Sequence, residues 1–143
     1  MNLSDLLKED KIRKIEPDAK QAEDCLKASE RDIKVAKGLI NDDLDWAFTV
    51  AYNASLQAIR ALMFSEGFCA SGEGHHKTVI QYATVKFGHS LEGQIELFDH
   101  LRKKRHEAVY FNVGLISEFE ARKAIEFAEL LHKQVKEKLK VKK

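Results

Sequence analysis

Five consecutive side chains, Arg102, Lys103, Lys104, Arg105 and His106, put four cations and an imidazole into little more than one helical turn, and Tyr110 follows four residues later. On a helix Arg102 and Arg105 lie one turn apart and Arg102 and His106 are neighbours, so a phosphate could meet two guanidinium groups and a titratable imidazole together. If residues 94–109 form one helix, Leu91, Phe98, Leu101, Ala108 and Val109 define its apolar face, and Arg105 falls near the middle of that face. A guanidinium there must find an anion, a carboxylate or a polar pocket, because an unpaired buried charge is very costly. The competing reading is a solvated charged face with Asp99 and Glu107 as local ion-pair partners, and it is the expectation for Lys103 and Lys104.

A second cluster, His75, His76 and Lys77, sits at a helix start after a glycine-rich loop, where free N–H groups and the helix dipole favour anions. His75 and Lys77 are therefore candidates to complete a phosphate pocket. Two Glu-x-x-His strings, Glu73–His76 and Glu129–His132, have the spacing that di-iron bundles use. The first straddles Gly74 and no bridging pair of glutamates accompanies them, so no metal site is expected. Cys25 and Cys69 lie in apolar contexts without metal-like spacing and read as inert, reduced core thiols. Neither a P-loop nor a Gly-x-Gly-x-x-Gly string occurs, and no cofactor is expected.

Long helices must position these groups. Ser4 is read as the cap of a short helix to about Lys11, with Leu6 and Leu7 inward. Pro17 is read as the first residue of a long helix whose stripe is Ala22, Leu26, Ser29, Ile33, Ala36 and Ile40. Gly38, Asn41, Asp42 and Asp43 give a stop and a restart. The next helix, from Leu44 to about Gly67, carries a line of small residues, Ala47, Ala51, Ala54, Ala58 and Ala61, and is apolar on most sides, as a central buried helix must be. A short helix through Val79, Ile80, Tyr82, Ala83 and Phe87 ends at Gly88, and Ser90 is expected to cap the helix with the basic run. Ser117 and Glu120 form a capping box for a last helix with the stripe Ala121, Ala124, Ala128, Leu131, Val135 and Leu139.

The expected fold is all-α: one domain over residues 1–143, an antiparallel up-and-down bundle of four long helices plus one or two short ones, with no alternating strand pattern of useful length to compete with it. One proline and seven glycines in 143 residues agree with it. The net charge of +1 does not announce a nucleic-acid binder, although the last eleven residues hold six lysines against one glutamate. An acidic first turn and the lack of a long apolar run point to a cytoplasmic protein with no membrane span.

The order of the motifs resembles one family. Ala-Tyr-Asn-Ala-Ser-Leu-Gln-Ala-Ile-Arg-Ala-Leu over residues 51–62, a loop with a His-Lys helix start, and then Arg-Lys-Lys-Arg-His-Glu-Ala-Val-Tyr over residues 102–110 are similar to prokaryotic HEPN domains, from about Asp18 to the last helix. The resemblance implies a four- or five-helix bundle, a homodimer, and a toxin–antitoxin-type pairing with a minimal nucleotidyltransferase. It also implies nucleotide or RNA binding, and in active members metal-independent RNA cleavage. The active motif is Arg, a polar residue, then His after four to six intervening positions, with His moving protons and Arg stabilising the phosphorane. Here His106 stands at the polar position beside Arg105, Tyr110 stands where the His would be, and only three residues separate Arg102 from His106. A phenol with an ordinary pKa of about 10 is a poor base at neutral pH. The implied motif is degenerate, leaving three readings: a binding module, an endoribonuclease using His106 with Arg102 or Arg105, or a dimerising scaffold.

Overall fold

A computed structural model describes residues 2–71, 75–110 and 114–141, with the side chains of 105, 107–110 and 141 outside the description. The order is α1 (Leu3–Lys8), β1 (Ile12–Lys14), α2 (Ala19–Leu39), α3 (Leu44–Glu66), β2 (Phe68–Ala70), α4 (His75–Tyr110) and α5 (Glu118–Val141). The all-α bundle expected from the sequence is the fold. No helix among the described residues is long and apolar enough to cross a membrane.

The start of the chain departs from the sequence reading in two caps and a sheet. Asn2, not Ser4, caps α1: its side chain accepts from the Asp5 N–H while the Asp5 carboxylate accepts from the Asn2 N–H. Asp18, not Pro17, starts α2, accepting from the Gln21 N–H at 2.9 Å. A small sheet joins the bundle without altering its class. β1 and β2 pair antiparallel with Ile12 opposite Ala70, Arg13 opposite Cys69 and Lys14 opposite Phe68. Gly67 makes this possible. It ends α3 at φ 85°, and a Cβ there would lie 2.9 Å from the Ile15 carbonyl oxygen, so only glycine lets the returning strand come this close.

α3 is the centre, packed chiefly against α2 and α5. Its five alanines are fully buried, and across them Ser29 of α2 donates to the Ala54 carbonyl at 2.8 Å. Small side chains on α3 let α2 approach closely. The buried face of α2 is therefore Ala22, Cys25, Ser29, Asp32 and Ala36, rotated from the expected stripe, with Leu26 and Ile33 at its flanks. Asp32 is tolerated in the seam because Asn53 donates to it at 2.8 Å and Arg31 at 3.1 Å.

α4 contains the sharpest feature of the backbone. At Leu91 it leaves helical geometry (φ −128°, ψ 22°), dividing an amino arm, residues 75–90, from a carboxyl arm, residues 92–110. Gly88 and Gly93 weaken the helix on either side, and the Ser90 hydroxyl donates back to the Phe87 carbonyl at 3.2 Å instead of capping the second arm. The bend is a reversal. His76 and Phe98 both lie against the Tyr52 ring, with centroids 5.8 and 4.9 Å away, whereas 22 residues of straight helix would separate them by roughly 33 Å. Counting the arms separately gives four long and two short helices among the described residues, within the expected four long and one or two short, with the boundary at Leu91 rather than Gly88.

Candidate functional site

The carboxyl arm is seated by Ile95, Phe98 and Leu101, all buried at a spacing of three, and the Phe98 ring packs edge-on to Tyr52 of α3 and tilted against Phe127 of α5. This places the basic run on the last turns of α4. Arg102 is half-buried, its Nε donating to Asp99 Oδ1 at 3.0 Å one turn back. Lys103 and His106 are exposed. Arg105 is on the helix, but its side chain and that of Tyr110 fall outside the described residues, as does Glu107.

Lys104 corrects its expectation. It is half-buried, and its Nζ reaches Glu120 Oε2 of α5 at 2.6 Å. Glu120 is available because the capping box forms as expected: its other oxygen accepts from the Ser117 N–H at 3.0 Å, and its own N–H donates to Ser117 Oγ at 3.1 Å. Burial works against ionisation of Glu120, but the bonds from Lys104 and Ser117 outweigh it and hold the carboxyl below its ordinary range. Asp45 of α3 accepts from the N–H groups of Gly114 and Ile116, fixing the chain as it enters α5. The lysine expected in solvent is thus a strut between α4 and α5.

The reversal at Leu91 determines which of the other predicted residues join the basic turn. Lys77, exposed on the amino arm, shares a cleft of about 300 Å³ with Glu92, Glu96 and Asp99 of the carboxyl arm, and Asp99 is the partner of Arg102. His75 does not line that cleft. It lines a separate cavity of about 260 Å³ with Arg60, Phe68 and Cys69. Glu73 lies outside the described residues, and Glu129 of the second Glu-x-x-His string is held by Lys37 of α2 at 2.8 Å. No group of His, Cys, Asp and Glu among the described residues is arranged to hold a metal ion.

The cysteines differ from each other. Cys25 is buried as expected, and burial pushes its thiol pKa up. Cys69 is half-exposed on β2, with Arg13 Nε 3.0 Å from its Sγ, so the expectation of an apolar surrounding is wrong for it. Arg60 escaped the sequence reading, though a signal was present: it is the lone charge between Asp45 and Glu66 in an otherwise apolar α3.

A family model described as HEPN domain matches residues 20–138, from the first turn of α2 to the last turns of α5. No curated protein and no solved structure matches the chain. With the model spanning most of the sequence and the helices in the order the motifs implied, the chain belongs to the HEPN domain family.

Proposed function

We propose that this protein is a cytoplasmic, dimeric HEPN module of a toxin–antitoxin-type system. It binds the phosphate of a nucleotide or RNA, with a minimal nucleotidyltransferase as its protein partner, and does not perform the usual ribonuclease reaction. The observation that carries this reading is the basic turn itself: Arg102 is held in place by Asp99, exposed Lys103 and His106 flank it, and Lys77 enters the adjoining cleft. A guanidinium already oriented by a carboxylate loses less freedom on meeting a phosphate. We assign Arg105 and Tyr110, which follow in the sequence, to the same ligand surface, and His75 is left to the other cavity.

Titration of wild type and Arg105→Ala with nucleotides and short RNA tests the reading. Saturable binding that weakens as salt rises is expected for wild type, with a loss of about tenfold in the variant. Failure of both proteins to saturate removes phosphate binding. The exposure of His106 one turn from Arg102 favours a second reading, RNA cleavage without metal. Cleavage in chelator by wild type but not by His106→Ala would establish it in place of the first.

A further inference from the structure

The cavity at the end of α3 holds a cation that the basic turn does not use. Arg60 is half-buried, and neither an ion pair nor a hydrogen bond satisfies it among the described residues. The groups it feels most are the Cys25 thiol and the Tyr52 hydroxyl, and burial leaves its guanidinium below its ordinary pKa. Neither a thiol pushed up by burial nor a phenol, with an ordinary pKa of about 10, is an anion at neutral pH. The half-buried cations of α4, by contrast, each have a carboxylate: Lys86 has Glu66, Arg102 has Asp99 and Lys104 has Glu120.

Arg60 shares its cavity of about 260 Å³ with His75, the first residue of α4, and with Cys69, whose sulfur accepts from Arg13 Nε at 3.0 Å. Met63, Phe64 and Phe68 supply apolar walls. The volume lies just below the range of drug-sized sites, and the lining combines apolar surface with a few polar groups, as ligand sites do. A guanidinium fork matches two oxygens of a phosphate or carboxylate, and His75 adds a donor at the rim.

We propose that Arg60, with His75 and the apolar walls beside Cys69, forms a binding site for a small oxyanion with an apolar body, of the phosphomonoester or carboxylate class. It shares no side chain with the basic turn. Phenyl phosphate, inorganic phosphate and phenylacetate distinguish the sources. Phenyl phosphate is expected to bind about tenfold more tightly than inorganic phosphate, because the ring is buried against Phe64 and Phe68. Phenylacetate measures the carboxylate preference.

The test pairs thermal melting with the rate at which iodoacetamide modifies Cys69, the buried Cys25 serving as internal reference. Phenyl phosphate is expected to raise the wild-type melting temperature and to slow Cys69 modification at least fivefold. In Arg60→Met, which keeps the apolar stem, both effects vanish while the unliganded protein stays folded. Arg60→Lys retains the charge without the fork and weakens binding at least tenfold, which also serves should the Met variant fail to fold. Unchanged Cys69 reactivity in liganded wild type, or protection that survives in Arg60→Met, overturns the proposal. So does a melting shift that survives in Arg60→Met and disappears in Arg102→Ala, which places the anion on the basic turn instead.

Discussion

The two arms of α4 are built from one continuous helix yet fastened to the bundle by different means. The amino arm adds to its buried Val79, Ile80 and Phe87 a part-buried polar lock: the Tyr82 hydroxyl, on a fully buried ring, donates to Glu66 of α3, and Lys86 closes on the same carboxylate at 3.2 Å. The carboxyl arm is fixed by apolar side chains on its inner face and by half-exposed ion pairs at its edges, Arg102–Asp99 and Lys104–Glu120. A polar network anchored on a buried ring specifies one geometry and tolerates little change. An arm held by a narrow apolar stripe leaves its outer face open, and Lys103 and His106 are exposed there.

The largest effect belongs to Phe98, because the carboxyl arm has so few anchors. Phe98 touches Tyr52 of α3 and Phe127 of α5, so Phe98→Ala removes the contact that ties the arm to both neighbours. A loss of about 3–5 kcal/mol is expected in denaturant unfolding, with phosphate binding lost alongside it. A variant that loses stability but binds normally would show that the basic turn does not depend on how its arm is seated.

Next comes the lock on the amino arm. Tyr82→Phe removes a hydrogen bond to a carboxylate that keeps Lys86, at an expected cost of about 1–3 kcal/mol. Burial first, and the neighbouring Glu66 second, push the Tyr82 phenol above its ordinary range. The folded chain therefore retains a proton that the unfolded chain releases above about pH 10, so this contribution is intact below pH 10 and falls as pH rises beyond it. Unfolding across pH 8 to 11 should show that decline in wild type and a flatter profile in Tyr82→Phe. Equal slopes would mean that the hydroxyl is not what holds this arm.

The same contrast explains what could be read without the structure. Apolar periodicity and short-range caps are local signals, so the alanine line of α3, Gly67 as its stop and the Ser117–Glu120 box were legible. Asp32 was not, because charge alone reads as surface and its place in the seam depends on Asn53, twenty-one residues away. The strand pair was hidden for a related reason: three residues are too few to show an alternating pattern, and their pairing spans more than fifty residues. The basic run was visible as a cluster, but the division of its lysines between solvent and α5 depends on Glu120, sixteen residues on. Arg60 was missed, because a lone charge in an apolar helix signals little by itself and its meaning required the cavity lined from α3, β2 and the start of α4.

Lys104 gives the smallest and most discriminating effect. If it is a strut rather than a ligand contact, Lys104→Met should lower stability by only about 1 kcal/mol, or about 3 °C in melting temperature, since the pair is partly exposed and screened by salt. The Glu120 carboxyl is held below its ordinary range, so its contribution is present above the unfolded value of about pH 4.5 and is lost as pH falls through the lower folded value. Wild type and Lys104→Met should therefore differ at pH 7 and converge in acid. Binding of phosphate ligands should stay within about twofold of wild type, whereas the exposed Lys103→Met weakens it and reduces its salt dependence by about one phosphate contact. If Lys104→Met instead costs as much affinity as Arg105→Ala, the ion pair with Glu120 opens when ligand arrives. The carboxyl arm would then contribute all of its cations to the site, and the distinction between strut and surface would apply only to the unliganded protein.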